Sequence, residues 1–128
     1  MAQTDTTNRI TQVGTVIVPV SDQDRALEFF LGTLGFEQRL DASYGASRWV
    51  EVAPPGAATT IALVSPREGD PIGFEVSFDT HDAETDHARL RARGVDVDAE
   101  VIRMGDVVPP MFTFRDPDGN RYRVVERG

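Results

Sequence analysis

One pattern constrains this chain more than any other: the same order of elements is written twice. Ile10 to Val20 is rich in valine, isoleucine and threonine, the composition of a pleated strand. Ser21 then stands as a helix cap, with Asp24 in the first turn. Leu27, Phe30, Leu31 and Leu34 recur at helical spacing, and Gly35 is a natural stop. Three short strands follow, Phe36–Leu40, Ser47–Val52 and Thr59–Val64, with Pro54-Pro55-Gly56 as the turn before the third. The second half repeats the order: strand Gly73–Phe78, helix Asp82–Arg93, stop Gly94, then strands Val95–Met104, Met111–Phe114 and Arg121–Glu126. Val18 and Val20 fall opposite Val76 and Phe78 at one offset. Gly35-Phe36 falls opposite Gly94-Val95 at an offset one residue larger.

Each half is therefore β-α-β-β-β. One helix cannot cover both faces of a four-stranded sheet. The fold class this implies is α+β, with two tandem βαβββ modules forming a curved mixed sheet around a concave cavity, helices outside. The expected boundaries are a flexible N-terminus at residues 1–9, a first module at 10–65, a linker at 66–71 and a second module at 72–128. Both modules make one domain.

Composition removes several function classes. No cysteine is present, so disulfides, thiolate metal sites and cysteine nucleophiles are excluded. The 21 acids outnumber the 13 bases for a net charge of −8, which opposes nucleic-acid binding and mildly favours cationic ligands. No apolar run approaches a membrane span, and the polar start carries no apolar signal region, so the expectation is a cytoplasmic protein with no membrane partner. His81 and His87 are six apart and share no helix face, so they make no paired metal motif.

The end of the chain holds the sharpest local signal, Asp116-Pro117-Asp118-Gly119-Asn120 between two strands. Pro117 presets the turn, the aspartates can accept from nearby amides, and Gly119 takes a left-handed backbone. This turn, the Val20-Ser21-Asp22 start of the first helix and the Leu34-Gly35-Phe36 exit together resemble the vicinal oxygen chelate superfamily. That group includes glyoxalase I, extradiol dioxygenases, epimerases and bleomycin-resistance proteins. The resemblance covers about Thr11 to Glu126, and Arg48 to Gly56 looks like bacterial members of the group. It specifies the fold well and the activity poorly.

Metal-dependent members of that superfamily place one ligand on each of four strands. By resemblance these positions fall on Thr15, Ala62, Gly73 and Arg123. Alanine and glycine offer no side-chain donor, threonine is a poor one, and arginine is itself cationic. The resemblance thus implies a member with no metal and no cofactor. Arg123 either binds an anionic group in the cavity or forms an edge salt bridge.

Three further residues are candidates. Trp49 and Glu51 share one strand face: either they meet a flat cationic ligand, or Trp49 packs and Glu51 lies at the surface. Glu75 faces away from Phe74, Val76 and Phe78, which puts it on the cavity side with Gly73 and makes it a weak candidate base. Two functions follow. The first is a metal-free binding module that holds a small organic molecule, cationic or aromatic, on Thr15, Trp49, Glu51, Ala62, Gly73, Glu75 and Arg123. The second is a glyoxalase-like lyase, isomerase or epimerase acting on an oxygenated small molecule, with Glu75 or Glu51 as base and Arg123 stabilising enolate-like charge. By resemblance the chain is expected to form a homodimer.

Overall fold

A computed structural model describes residues 8–70 and 74–127. The fold is α+β, with two mixed sheets and two helical segments, as the repeated order predicts. The first sheet holds β1 (Thr15–Pro19), β2 (Glu37–Tyr44), β3 (Ser47–Ala53) and β4 (Thr60–Val64) in the order β1-β4-β3-β2, with β1 and β4 parallel. The second holds β5 (Glu75–Thr80), β6 (Asp96–Val97), β7 (Ile102–Met104), β8 (Val108–Arg115) and β9 (Arg121–Glu126). Its order is β5-β9-β8-β6, and β7 also pairs with β8. Helix α1 (Gln23–Leu27) widens into a π-helical segment over Glu28–Thr33, and α2 spans Ala83–Ala92.

One hydrophobic core serves both sheets. Val18, Val50, Val52, Ile61 and Leu63 enter it from the first sheet, and Phe112, Phe114, Tyr122 and Val124 from the second. Phe30 joins them: its ring stands 5.6 Å from Tyr122 and 5.6 Å from Phe36. Strand alternation sends the remaining residues to the opposite faces, which the helices leave uncovered. Gly35 and Gly94 end the two helices at φ of 75° and 78°, where a side chain would be strained.

Several expectations shift on inspection. The first helix is capped by Asp22, not Ser21: Asp22 is extended and its Oδ1 accepts from the Arg25 amide at 3.0 Å. Both residue types cap well, and the helix simply begins one residue later. Only Thr15–Pro19 of the Ile10–Val20 run is strand. Val95–Met104 is broken into β6 and β7 because the Asp98 side chain takes the place of a ladder carbonyl. Its Oδ2 accepts from the Thr113 amide at 3.1 Å and its Oδ1 from Arg115 at 2.7 Å. The Asp98 carbonyl meets His87 Nε2 at 2.6 Å, and the His87 ring sits edge-on to Phe112, so His87 is a packed residue between helix and sheet. β8 starts at Val108, three residues before the expected Met111, and the prolines precede the part of β8 that pairs with β9.

Tyr122 is fully buried, and burial with the neighbouring Asp116 charge pushes its phenol well above the ordinary value. Below a pH of about 10 the folded and unfolded phenols are both protonated; above it the unfolded one ionises first, so stability is lost as pH rises. In a Tyr44→Phe background Tyr122 is the sole tyrosine. Its absorbance near 295 nm is then expected to rise together with alkaline unfolding followed by circular dichroism; ionisation of the folded protein would contradict this placement.

Candidate functional site

The uncovered face of the first sheet is built by alternation. β1 contributes Thr15, Ile17 and Pro19, β3 contributes Trp49 and Glu51, and β4 contributes Thr60, Ala62 and Val64. On this face lies an open cavity of about 590 Å³, lined among others by Thr15, Ile17, Gln23, Tyr44, Trp49 and Phe74.

A hydrogen-bonded chain joins the lining residues Thr15 and Trp49 through Thr60 and Glu51, which share their sheet face but do not line the cavity. The Trp49 indole Nε1 donates to Glu51 Oε2 at 2.6 Å, and the Thr60 hydroxyl donates to Glu51 Oε1 at 2.8 Å. Thr15 and Thr60 hydroxyl oxygens stand 2.9 Å apart. Since the single Thr60 proton goes to Glu51, Thr15 is the donor in that pair. Both oxygens of Glu51 are thus held by neutral groups, and among the described residues no cation pairs with it.

The wall is fixed to the helix. Gln23, the first residue of α1, donates through Nε2 to the carbonyls of Arg48 and Leu63, at 2.9 Å each. Arg48 forms a two-pronged pair with Asp41, Nε to Oδ1 at 2.9 Å and Nη2 to Oδ2 at 2.8 Å, and reaches Asp24 at 2.8 Å. The Arg48 guanidinium holds the Asp41 carboxyl below the usual carboxylate range.

The structure brings Thr15, Trp49, Glu51 and Ala62 onto one face, with Ala62 opposite both Ile17 and Glu51 in the register. Ala62 is fully buried there. Glu75 and Arg123 lie on the uncovered face of the second sheet, where Glu75 Oε1 stands 3.6 Å from both Arg121 and Arg123. Neither lines the cavity of the first sheet. Gly73 falls outside the described residues.

Gln23, Tyr44 and Phe74 were not found by sequence reasoning. Tyr44 had a signal: Leu40, Ala42 and Tyr44 alternate, and register places Ala42 across from Trp49. Gln23 had none, because its role depends on two carbonyls distant in the chain.

A model of the Glyoxalase/Bleomycin resistance protein/Dioxygenase superfamily matches residues 9–124, nearly the whole chain. The chain belongs to that superfamily. Among solved structures, TnmS3, an antibiotic binding protein from Streptomyces sp. CB03234, superposes with a TM-score of 0.84 at 35% identity, over 95% of this chain and 100% of that one. A superfamily member from Sphaerobacter thermophilus DSM 20745 gives the same TM-score and identity, over 92% of this chain and 98% of its own. The uncharacterized protein YurT of Bacillus subtilis (strain 168) is 31% identical over 121 residues, 84% of this chain and 93% of that protein.

Metal-dependent members of the superfamily hold a divalent ion, and the described residues at the positions the resemblance assigns to it do not fit one. The Thr15 hydroxyl is engaged with Thr60, Ala62 has no donor, and Arg123 is cationic. Among the described residues no three His, Cys, Asp or Glu side chains cluster as a ligand set.

Proposed function

We propose that this superfamily member is a binding module that captures a small, flat, cationic or aromatic organic molecule on the uncovered face of the first sheet. One observation carries the reading: Glu51 has no cationic partner among the described residues and is held to Trp49, which lines the cavity on the same sheet face. A carboxylate satisfied only by neutral donors keeps its charge available, and an adjacent indole face attracts the same cation. TnmS3, similar over almost the whole chain, is described as an antibiotic binding protein, which supports small-molecule capture. The lyase, isomerase or epimerase alternative draws less support, since the candidate base Glu75 lies between two guanidiniums at 3.6 Å.

The working form is a homodimer. Ile17, Leu40 and Tyr44 on the uncovered face are 46%, 43% and 59% exposed, more apolar surface than a bare sheet face usually presents. A second copy would cover it and bring a sheet carrying Arg123 and Glu75 against one carrying Glu51. No helix among the described residues is long and apolar enough to cross a membrane. The absence of cysteine accords with a cytoplasmic setting.

Trp49 is the sole tryptophan, so its fluorescence reports on the cavity directly. N-methylquinolinium is expected to quench it saturably and to bind about tenfold more tightly than neutral quinoline. Glu51→Gln should erase that preference. Equal binding of the two probes, or none, would refute the reading; native mass spectrometry of the same sample checks the dimer.

A further inference from the structure

A second cavity, of about 380 Å³, lies at the seam between the two modules, bounded by α2, β5 and the residues that leave the first helix. It shares no residue with the cavity on the first sheet. Its floor is aromatic. The Phe36 and Phe78 rings meet nearly at right angles at 5.5 Å, and Phe78 stacks on Phe114 at 6.3 Å. Phe36 and Phe78 are only partly buried, so apolar surface faces the void although every one of these rings belongs to or packs on the core.

The rim carries two basic and two acidic side chains. Arg89 on α2 and Arg93, the cap at its C-terminal end, are four residues apart and both border the cavity. Among the described residues neither forms an ion pair; Arg93 donates to the neutral Thr33 carbonyl at 2.7 Å. Of the two rim acids, Asp79 pairs with Arg127 at 3.1 Å and Asp86 accepts from the neutral Thr80 hydroxyl, so two guanidiniums without an ion pair face one such acid.

We infer that this seam cavity is a second binding site, for a small amphipathic anion: an aromatic or aliphatic body carrying one carboxylate or sulfonate. The body covers Phe36 and Phe78, and the anionic head meets the two guanidiniums, whose forked donors match carboxylate geometry. A volume near the lower end of small-molecule sites selects a single ring with a short chain. This inference stands apart from the proposed function, since it uses neither Trp49 nor Glu51.

The test is titration of the ¹⁵N-labelled full chain with 4-phenylbutyrate, followed by amide shifts, with 4-phenylbutanamide and 4-phenylbutylamine as neutral and cationic matches. Saturable shifts are expected at Phe36, Phe78 and Leu90, with the amide and the amine at least about tenfold weaker. Arg89→Glu/Arg93→Glu, two exposed positions, should retain the spectrum of the fold and lose the site by a similar factor. The inference is overturned by an absence of saturable shifts at these residues, by shifts confined to the Thr15 and Trp49 face, by equal binding of the three probes, or by undiminished binding in the double variant.

Discussion

Asp116→Ala is expected to destabilise the protein by about 3–5 kcal/mol, a large fraction of the stability of an ordinary domain. Asp116 is buried and its carboxylate is the hub of the Asp116-Pro117-Asp118-Gly119-Asn120 turn. Oδ1 accepts from the amides of Asp118 at 2.8 Å and Asn120 at 3.1 Å. Oδ2 accepts from Asn120 Nδ2 at 3.0 Å and from the Tyr122 hydroxyl at 2.7 Å. Alanine would leave these four donors without their acceptor, two of them on the buried side chains of Asn120 and Tyr122, and each such group costs about 1–3 kcal/mol before relaxation.

The loss spreads further, because the same turn fastens one module to the other. Asn120 Nδ2 also donates to the Pro19 carbonyl at 3.0 Å, and Asp118 Oδ1 accepts from the Ser21 amide at 3.0 Å. Urea unfolding is the measurement. A midpoint shift equivalent to less than about 1 kcal/mol would mean that water replaces the carboxylate without penalty, contrary to its burial. Tyr122→Phe, which removes a single donor, is expected to cost only about 1–2 kcal/mol.

Phe30→Ala is expected to cost about 3–5 kcal/mol by a different route, the opening of a cavity in the shared core. Phe30 is fully buried and is packed by three rings: Phe29 at 5.4 Å, Phe36 at 5.6 Å and Tyr122 at 5.6 Å. Those rings come from its own helical segment, from the residue before β2 and from β9, so no single movement can refill the space. A melting temperature lowered by roughly 10–20 °C is the expected reading. Phe30→Leu, which restores much of the volume, should recover a clear part of it. If both variants melt like the parent, Phe30 is not the contact on which the two sheets depend.

Much of this architecture was legible in the chain. The element order, both helix stops and the inward face of β5 follow from local periodicity, and Val76 and Phe78 pack on the core while Glu75 points away. Local signals also grouped some of the candidate residues on one face. Trp49 and Glu51 share a face by alternation, and register brings Ala62 beside Glu51. What failed needs three dimensions. Nothing in spacing tells that Arg123 and Glu75 occupy a different sheet from Thr15, because both modules have the same pattern and the pattern carries no information on which face meets which. Asp98 reads as one more strand residue until its carboxylate is seen to replace a ladder carbonyl. Gln23 is invisible for the same reason: its partners are the carbonyls of Arg48 and Leu63, and any sequence has carbonyls there.

If this face holds a flat guest as proposed, the bond between Trp49 and Glu51 bears on its selectivity. An indole usually offers a guest two things, a flat face and a directional N–H. Here the N–H is already engaged, and the ring is barred from turning by the carboxylate that holds it. What remains is a fixed tile that reads flatness and charge but cannot count a guest's acceptors. In the proposed reading, two molecules of equal outline and unequal substituents would look alike to it, and finer discrimination would fall to the side chains at the edge, Tyr44 foremost.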